Sequence, residues 1–266
     1  MKILKLLPLL LTLFFAGCLD TSTSYDDSQD QAFLEDYAQR DGVTTTNSGL
    51  MYRVIEEGEG EIPEGDQKVI VDYEGESVRQ DRRYGPQDPQ QFEIFTPAEL
   101  NVFPGIGEGV QLMKEGARYE FVIPSNLAEG NGRVYVFDMR LLSFLRQDQE
   151  QFLIDNAALE DVEETESGLQ YRILEEGDGE TPTVESSVRV KYKGTFTNGY
   201  SFDQSPEGES VEFNVTGVIQ GFSEGLQLMK EGGRYQLFVP PALGYGNQYP
   251  QYNNVIVFEV ELDEIL

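Results

Sequence analysis

Two side chains in this sequence stand in settings that favour chemistry over packing. Cys18 carries the only thiol, and it follows an apolar run over residues 6–15 after the small residues Ala16 and Gly17. Tyr245 stands between two glycines, in a turn where core packing demands little of a side chain. A lone thiol cannot close an intramolecular disulfide, but it can be modified. Both residues are therefore candidates for function.

The composition excludes most other kinds of active site. The chain of 266 residues has no His, which excludes His-dependent nucleophilic triads and His-rich zinc sites. A single Cys excludes multi-Cys metal sites, and no EF-hand spacing indicates calcium. With 48 acidic and 19 basic residues, the net charge of -29 opposes binding to nucleic acid. We therefore expect a protein without metal or cofactor.

The N-terminus resembles a bacterial lipoprotein signal. Two lysines precede the apolar run, which is too short to cross a bilayer and suits a secretion signal. The resemblance implies that residues 1–17 are removed and that Cys18 is acylated, followed by an acidic flexible tether over residues 18–30. Leu19, where an Asp would retain the protein in the inner membrane, implies a lipid anchor in the outer membrane of the cell envelope, facing the periplasm. The alternative is an ordinary signal peptide in which Cys18 is incidental.

The rest of the chain is a duplicated unit. The hexapeptide SGLMYR at residues 48–53 recurs as SGLQYR at 167–172, and EGVQLMKEGARY at 108–119 recurs as EGLQLMKEGGRY at 224–235. The offsets are 119 and 116 residues, much longer than the period of a solenoid. We therefore predict two copies of one domain, over residues 31–145 and 146–266.

Hydrophobic periodicity predicts an α+β fold for each copy. Apolar residues at every second position predict strands with one buried face. These residues are Val188, Val190 and Tyr192 in one run, Tyr235, Leu237 and Val239 in the next, and Ile256, Phe258, Val260 and Leu262 in the last. Phe222, Leu226 and Met229 have helical spacing and predict a short helix over residues 221–229. We expect a curled antiparallel sheet wrapped around this helix, with a further short helix before each copy, at residues 31–39 and near Phe152.

The second copy resembles an FKBP-type peptidyl-prolyl cis-trans isomerase domain. Six motifs occur in the family's order: VKYKG at 190–194, FD at 202–203, VIQGF at 218–222, EGLQLMKEG at 224–232, ALGYG at 242–246 and the terminal run 255–262. They cover residues 167–266. The resemblance implies an enzyme that assists folding by speeding rotation about X–Pro bonds, a reaction that needs no metal, nucleophile or cofactor.

The resemblance also implies a set of site residues. Aromatic walls would come from Tyr192, Phe202, Phe213 and Phe258, above a floor at Phe222. Val218 and Ile219 would form the lip, where the Ile219 N–H would bind a substrate carbonyl. The Tyr245 hydroxyl would bind the substrate backbone, and Asp203 would polarise the carbonyl region from the pocket edge. In the loop 247–254, where the sequence departs from the family, we expect Tyr249, Pro250 or Tyr252 to supply a further wall. Ordinary core packing is an alternative explanation for Phe213 and Phe258.

Three departures from the family pattern predict reduced activity. Phe222 stands where the family usually has Trp, residues 205–211 lack an Arg that often partners the Asp, and residues 247–254 are tyrosines and amides in place of an apolar segment. The first copy departs further, since it has Ile106 at the floor position and Glu129 at the Tyr245 position. A carboxylate in a pocket that excludes water is costly, so the first copy is predicted to be catalytically silent.

The expected partners are proline-containing unfolded or nascent secreted polypeptides, and the membrane through Cys18. Two other functions remain open for the same chain: a binding-only chaperone, and a surface interaction lipoprotein with weak or no isomerase activity. The short leading helices favour a monomer.

Overall fold

Apolar residues at alternate positions form the central strands, as the sequence predicts. In the computed structural model, which describes residues 28–85, 92–246 and 253–266, Ser187–Phe196 is a strand with Val188 and Val190 fully buried and Arg189 exposed. It pairs antiparallel with the terminal strand Ile256–Ile265, whose apolar residues enter the same core. Each strand therefore has one face in the core and one in solvent.

The two repeats contain matching elements. In the first repeat these are α1 (Ser28–Tyr37), β1 (Val43–Thr45), β2 (Met51–Glu56), β3 (Val69–Ser77), β4 (Gln80–Tyr84), β5 (Glu93–Phe95), α2 (Pro104–Val110), β6 (Arg118–Ile123) and β7 (Tyr135–Phe144). In the second they are α3 (Gln149–Ala157), β8 (Glu163–Glu164), β9 (Gln170–Glu175), β10 (Ser187–Phe196), β11 (Ser201–Gln204), β12 (Val211–Asn214), α4 (Gln220–Leu226), β13 (Arg234–Val239) and β14 (Ile256–Ile265).

The sheet topology confirms both the duplication and the α+β class. Among the described residues, each repeat has a seven-stranded antiparallel sheet. The first has the order β1-β2-β6-β7-β3-β4 with β5 on β3, and the second has the order β8-β9-β13-β14-β10-β11 with β12 on β10. Each strand of the first repeat thus has a counterpart at the same place in the second.

Two glycines allow helix α4 to lie close to the sheet. A Cβ at Gly221 would stand 2.5 Å from Val239 Cγ1, and a Cβ at Gly225 would stand 2.3 Å from Leu237 Cδ1. The predicted apolar stripe is confirmed, since Phe222, Leu226 and Met229 are all buried. The helix ends at Leu226, earlier than the predicted Met229, and the chain continues in hydrogen-bonded turns.

Helix α1 begins at Ser28, so the predicted tether is too long at its C-terminal end. Asp30, which the sequence predicts to lie in the tether, is only 1% exposed. Its carboxylate lies 3.1 Å from Arg79 Nε and accepts a hydrogen bond from the Val134 N–H. These partners, far away in sequence, fix the first turn of the helix on the first repeat. None of the helices in residues 28–85, 92–246 and 253–266 has the length and apolarity that crossing a bilayer requires.

Candidate functional site

A cavity of about 440 Å³ opens in the second repeat between helix α4 and the strands around it. Its lining is mainly aromatic and aliphatic, with a single carboxylate. The lining residues are Tyr192, Asp203, Phe213, Gly217, Val218, Ile219, Phe222, Gly244, Tyr245 and Phe258. Most of the residues that the sequence predicted for one site therefore converge on one cavity, although they come from strands, a helix and turns spread over 67 residues of chain.

Phe222, in the first turn of α4, is the ring on which the others converge. Its centroid lies 5.0 Å from that of Phe258, 6.1 Å from Tyr192 and 6.2 Å from Phe213. All three pairs meet edge to face, with interplanar angles of 83°, 81° and 74°. In such pairs the positive ring edge meets the negative ring face, which holds the rings in fixed orientations. The cavity is thus a rigid aromatic cup with Phe222 at its base.

Tyr192 and Asp203 form the polar edge of the cup. The Tyr192 hydroxyl donates a hydrogen bond of 2.8 Å to Asp203 Oδ2, while Oδ1 accepts from the Gln204 N–H at 2.9 Å. Burial, and then the hydrogen bond to Asp203, raise the pKa of the Tyr192 hydroxyl above its ordinary value. The tyrosine is therefore protonated at neutral pH. The antiparallel register of β10 and β11 brings the two residues together. The sequence did not predict this pair, because the register of two strands cannot be seen in a local pattern.

Phe202 lies behind the cavity wall rather than in it. It packs edge to face on Phe258, at 5.8 Å between centroids, and against Phe196 at 5.0 Å. Gly194 makes room for both rings, since a Cβ there would stand 2.8 Å from Phe202 Cζ and 2.9 Å from Phe258 Cε1. Phe202 supports the wall residue Phe258. The expected direct wall is absent, since Phe202 is not among the lining residues; the register shift between β10 and β11 leaves it unpaired between Ser201 and Asp203.

The lip of the cavity presents backbone as well as side chains. Ile219 has φ -59° and ψ 153°, directly before α4, and its N–H donates to no acceptor in the described parts of the chain. Across the cavity, Gly244 and Tyr245 follow the turn Pro241–Leu243. Gly217 and Gly244 also line the cavity and were not predicted as site residues, because no side chain marked them. Tyr249 and Cys18 lie outside the described residues.

The corresponding place in the first repeat is filled by aromatic side chains of the protein itself. Tyr84 pairs with Gly75 in the register that Asp203 has with Gly194. Its ring lies 5.7 Å from Phe103 and 5.9 Å from Phe137, which are the counterparts of Ile219 and Phe258. A ring in contact with both of these counterparts occupies the space that the cavity takes in the second repeat.

Glu129, the counterpart of Tyr245, is held by neighbouring side chains. Its carboxylate accepts hydrogen bonds from the Tyr135 hydroxyl at 2.8 Å and from Asn131 Nδ2 at 2.6 Å. The floor position holds Ile106, which is buried. The first repeat therefore keeps the fold without the arrangement of groups that lines the cavity in the second.

Tyrosines with raised pKa values make the fold sensitive to alkali. Burial raises the pKa of Tyr235 from 10.0 to about 12, and the hydrogen bond to Glu163 is the main cause of the same rise for Tyr171. The folded state thus favours the protonated form, so this contribution to stability is complete below pH 10 and is lost between pH 10 and about 12. We expect the free energy of unfolding in urea to fall over that window. In Tyr171→Phe the free energy of unfolding should fall less steeply with pH over this window. An unchanged dependence on pH would contradict the contribution assigned to Tyr171.

Comparison with known proteins places both repeats in one family. The family model described as FKBP-type peptidyl-prolyl cis-trans isomerase matches residues 59–151 and 178–263. The model described as a domain amino terminal to FKBP-type peptidyl-prolyl isomerase matches residues 21–54 and 143–173. Together these matches extend over most of the chain.

Individual relatives agree with the family models. The chain is 43% identical over 122 residues to the FKBP-type 22 kDa peptidyl-prolyl cis-trans isomerase of Escherichia coli (strain K12), covering 44% of this chain and 59% of the relative. It is 33% identical over 196 residues to the probable isomerase FkpA of Neisseria meningitidis serogroup B, covering 72% and 70%. The crystal structure of Escherichia coli FkpA aligns with a TM-score of 0.42 at 38% identity, over 44% of this chain and 57% of that one. The chain spans about half the length of the first curated relatives it matches.

Proposed function

Because the chain belongs to the FKBP-type peptidyl-prolyl cis-trans isomerase family, we propose that its second domain catalyses rotation about X–Pro bonds in the aromatic cavity. The observation that carries the proposal is the convergence of Tyr192, Phe222, Tyr245 and Phe258 on one open cavity of about 440 Å³. That space can hold a proline ring with its flanking backbone.

The chemistry of the bond explains why such a cup would be a catalyst. Amide resonance gives the X–Pro bond its slow rotation, over tens to hundreds of seconds in water. At the twisted transition state the conjugation is lost and the carbonyl oxygen carries less charge. Aromatic walls that exclude water therefore stabilise the twisted state relative to the planar, better hydrated amide. No proton transfer or covalent step is required of the protein.

Polar groups at the rim would orient the bound peptide. The Ile219 N–H would donate to a substrate carbonyl and the Tyr245 hydroxyl would bind the peptide backbone, which is supported by the presence of both residues in the lining and by the lack of an acceptor for the Ile219 N–H among the described residues. Asp203 fixes Tyr192 through their hydrogen bond and brings a negative charge to the cavity edge. In this arrangement Tyr192 and Asp203 act as a pair.

Tyr245→Phe tests the proposal. Loss of the hydroxyl removes one hydrogen bond to the substrate and leaves the ring, so we expect kcat/KM for a proline peptide to fall roughly threefold to tenfold. The measurement is a protease-coupled isomerisation assay on the full chain. Tyr171→Phe is the control, since it removes a hydroxyl bonded to Glu163 outside the cavity and should leave the rate unchanged. A wild-type rate equal to that of buffer would refute the proposed activity.

The place of action is part of the same proposal. Acylation at Cys18 would tether the enzyme to the envelope, where secreted and envelope proteins fold after export. Several acyl chains give stable anchoring, whereas one chain gives only marginal binding. Mass spectrometry of the mature N-terminus should find an acylated Cys18 as the first residue. An unmodified Cys18 would exclude the anchor and leave the isomerase proposal intact.

A further inference from the structure

The two repeats share one hydrophobic core next to the cavity. Three buried residues of the first repeat, Ile70, Phe92 and Leu145, belong to the core cluster of the second, with exposed fractions of 0%, 9% and 3%. Ile94 and Leu142 pack against the same cluster. Burial of this kind removes apolar surface of both repeats from water, so the repeats stabilise each other where they meet.

A continuous series of aromatic contacts leads from this junction to the cavity. Phe92 meets Phe196 edge to face at 5.7 Å between centroids. Phe196 lies 5.0 Å from Phe202, and Phe202 lies 5.8 Å from the cavity residue Phe258. Phe196 is 1% exposed, so its ring has no room to move without displacing a neighbour. The first repeat thus reaches the cavity wall through packed rings.

The same junction holds the hairpin that carries Asp203. Asn198, in the turn between β10 and β11, donates through Nδ2 to Ser143 Oγ at 2.9 Å and to the Phe144 carbonyl at 2.8 Å, both at the end of β7. Tyr200, in the same turn, meets Phe92 edge to face at 5.8 Å. Two hydrogen bonds and one aromatic contact therefore fix this turn to the first repeat.

A second point of attachment lies at the start of β14. Lys68 Nζ of the first repeat donates to Asn254 Oδ1 at 2.7 Å, and Asn254 is 1% exposed. The Val255 N–H donates to Gln149 Oε1 of helix α3 at 2.9 Å. Phe258 follows on the same strand. Through Lys68 and the contacts to the β10–β11 turn, the first repeat thus contacts both chain segments that position Phe258 and Asp203, and helix α3 of the second repeat adds a further hydrogen bond at Val255.

We propose that the first domain is a positioning element for the isomerase site of the second, holding the β10–β11 turn through Phe92 and its neighbours. This assigns a role to a domain whose own cavity is filled by Tyr84. The inference rests on the proposed function, because the catalytic effect that it predicts requires an active second domain. It concerns residues that touch neither substrate nor cavity, so they act through Phe202 and Phe258.

Phe92→Ala in the full chain tests the proposal. Loss of the ring removes the aromatic contacts that Phe92 makes with Phe196 and with Tyr200, so the wall behind the cavity can shift. We expect kcat/KM for a proline peptide to fall about threefold to tenfold, because small displacements at a binding site have large effects on rate. The apolar variant Phe92→Leu should recover most of the loss. Asn198→Ala removes the polar contact to the same turn and should lower kcat/KM in the same direction, which provides a second variant if Phe92→Ala does not fold.

Phe95→Ala is the matched control. Phe95 is the last residue of β5, the short strand that begins directly after Phe92, but it packs against the core of the first repeat. The variant Phe95→Ala should lower the stability of the first domain and leave kcat/KM near the wild-type value. An equal loss in Phe95→Ala would show a general effect of destabilisation and would overturn the proposal. Unchanged kcat/KM in both Phe92→Ala and Asn198→Ala would also overturn it.

Methyl NMR separates this proposal from the proposed activity. The methyl groups of Val218 and Ile219 line the cavity beside the aromatic rings, so their chemical shifts report ring positions without turnover. Shifts of these signals in Phe92→Ala, but not in Phe95→Ala, would support positioning even if wild type proved inactive on proline peptides. Unchanged signals in Phe92→Ala would count against positioning, whatever the activity of wild type.

Discussion

Ile219→Pro is expected to lower kcat/KM for proline peptides about tenfold, because it removes a single hydrogen-bond donor from the cavity lip. The backbone is already suited to the substitution. Ile219 has φ -59°, close to the fixed value of proline, and the preceding Val218 is extended at φ -117° and ψ 174°. The Ile219 N–H has no acceptor among the described residues, so its loss breaks no bond of the fold. The measurement is steady-state isomerisation with a matched thermal unfolding curve.

Ile219→Ala separates the donor from the side chain. It keeps the N–H and removes the apolar lip, so we expect a smaller loss that appears mainly in KM. If Ile219→Pro and Ile219→Ala lower kcat/KM by the same factor, the side chain alone matters and the N–H does not bind substrate. If Ile219→Pro keeps the wild-type rate, neither the N–H nor the side chain of Ile219 takes part in substrate binding.

Gly225→Ala is expected to lower the free energy of unfolding of the second domain by about 1–3 kcal/mol. The added Cβ would stand 2.3 Å from Leu237 Cδ1 and 2.8 Å from Cδ2. Because Leu237 is fully buried in a close-packed core, its side chain has little space into which it can turn away from the added methyl group. Helix α4 must therefore move away from β13 and carry Phe222 with it. We expect a lower Tm and a lower kcat/KM together.

Gly217→Ala is the comparison for stability. Its Cβ would meet nothing closer than Asn214 Cβ at 3.6 Å, which is an ordinary contact. Its Tm should stay at the wild-type value in the same thermal melt. A fall in Tm equal to that of Gly225→Ala would mean that any added methyl group near α4 destabilises the domain, contrary to the steric argument.

Repeats and hydrophobic periodicity are enough to predict the plan of the molecule. The repeats of 108–119 and 224–235 revealed the duplication, and alternation at residues such as Val188 and Val190 predicted the strands. These signals are local, since a buried face recurs every second residue on a strand and every three or four on a helix. The aromatic site residues came from a resemblance in motif order, and most of them converge on one cavity.

Which aromatic rings face the cavity cannot be predicted from local patterns, because it depends on how the strands pair and pack. Phe202 lies behind Phe258, and Asp203 accepts a hydrogen bond from Tyr192. In the first repeat, Tyr84 fills the space that corresponds to the cavity. Each outcome depends on strand register and on the room left by a glycine, and neither quantity is local in sequence. The attachment of the first repeat to the β10–β11 turn joins residues that are farther apart still in sequence. It joins Phe92 to Phe196 across the boundary between the two copies, where no periodic pattern can indicate a contact.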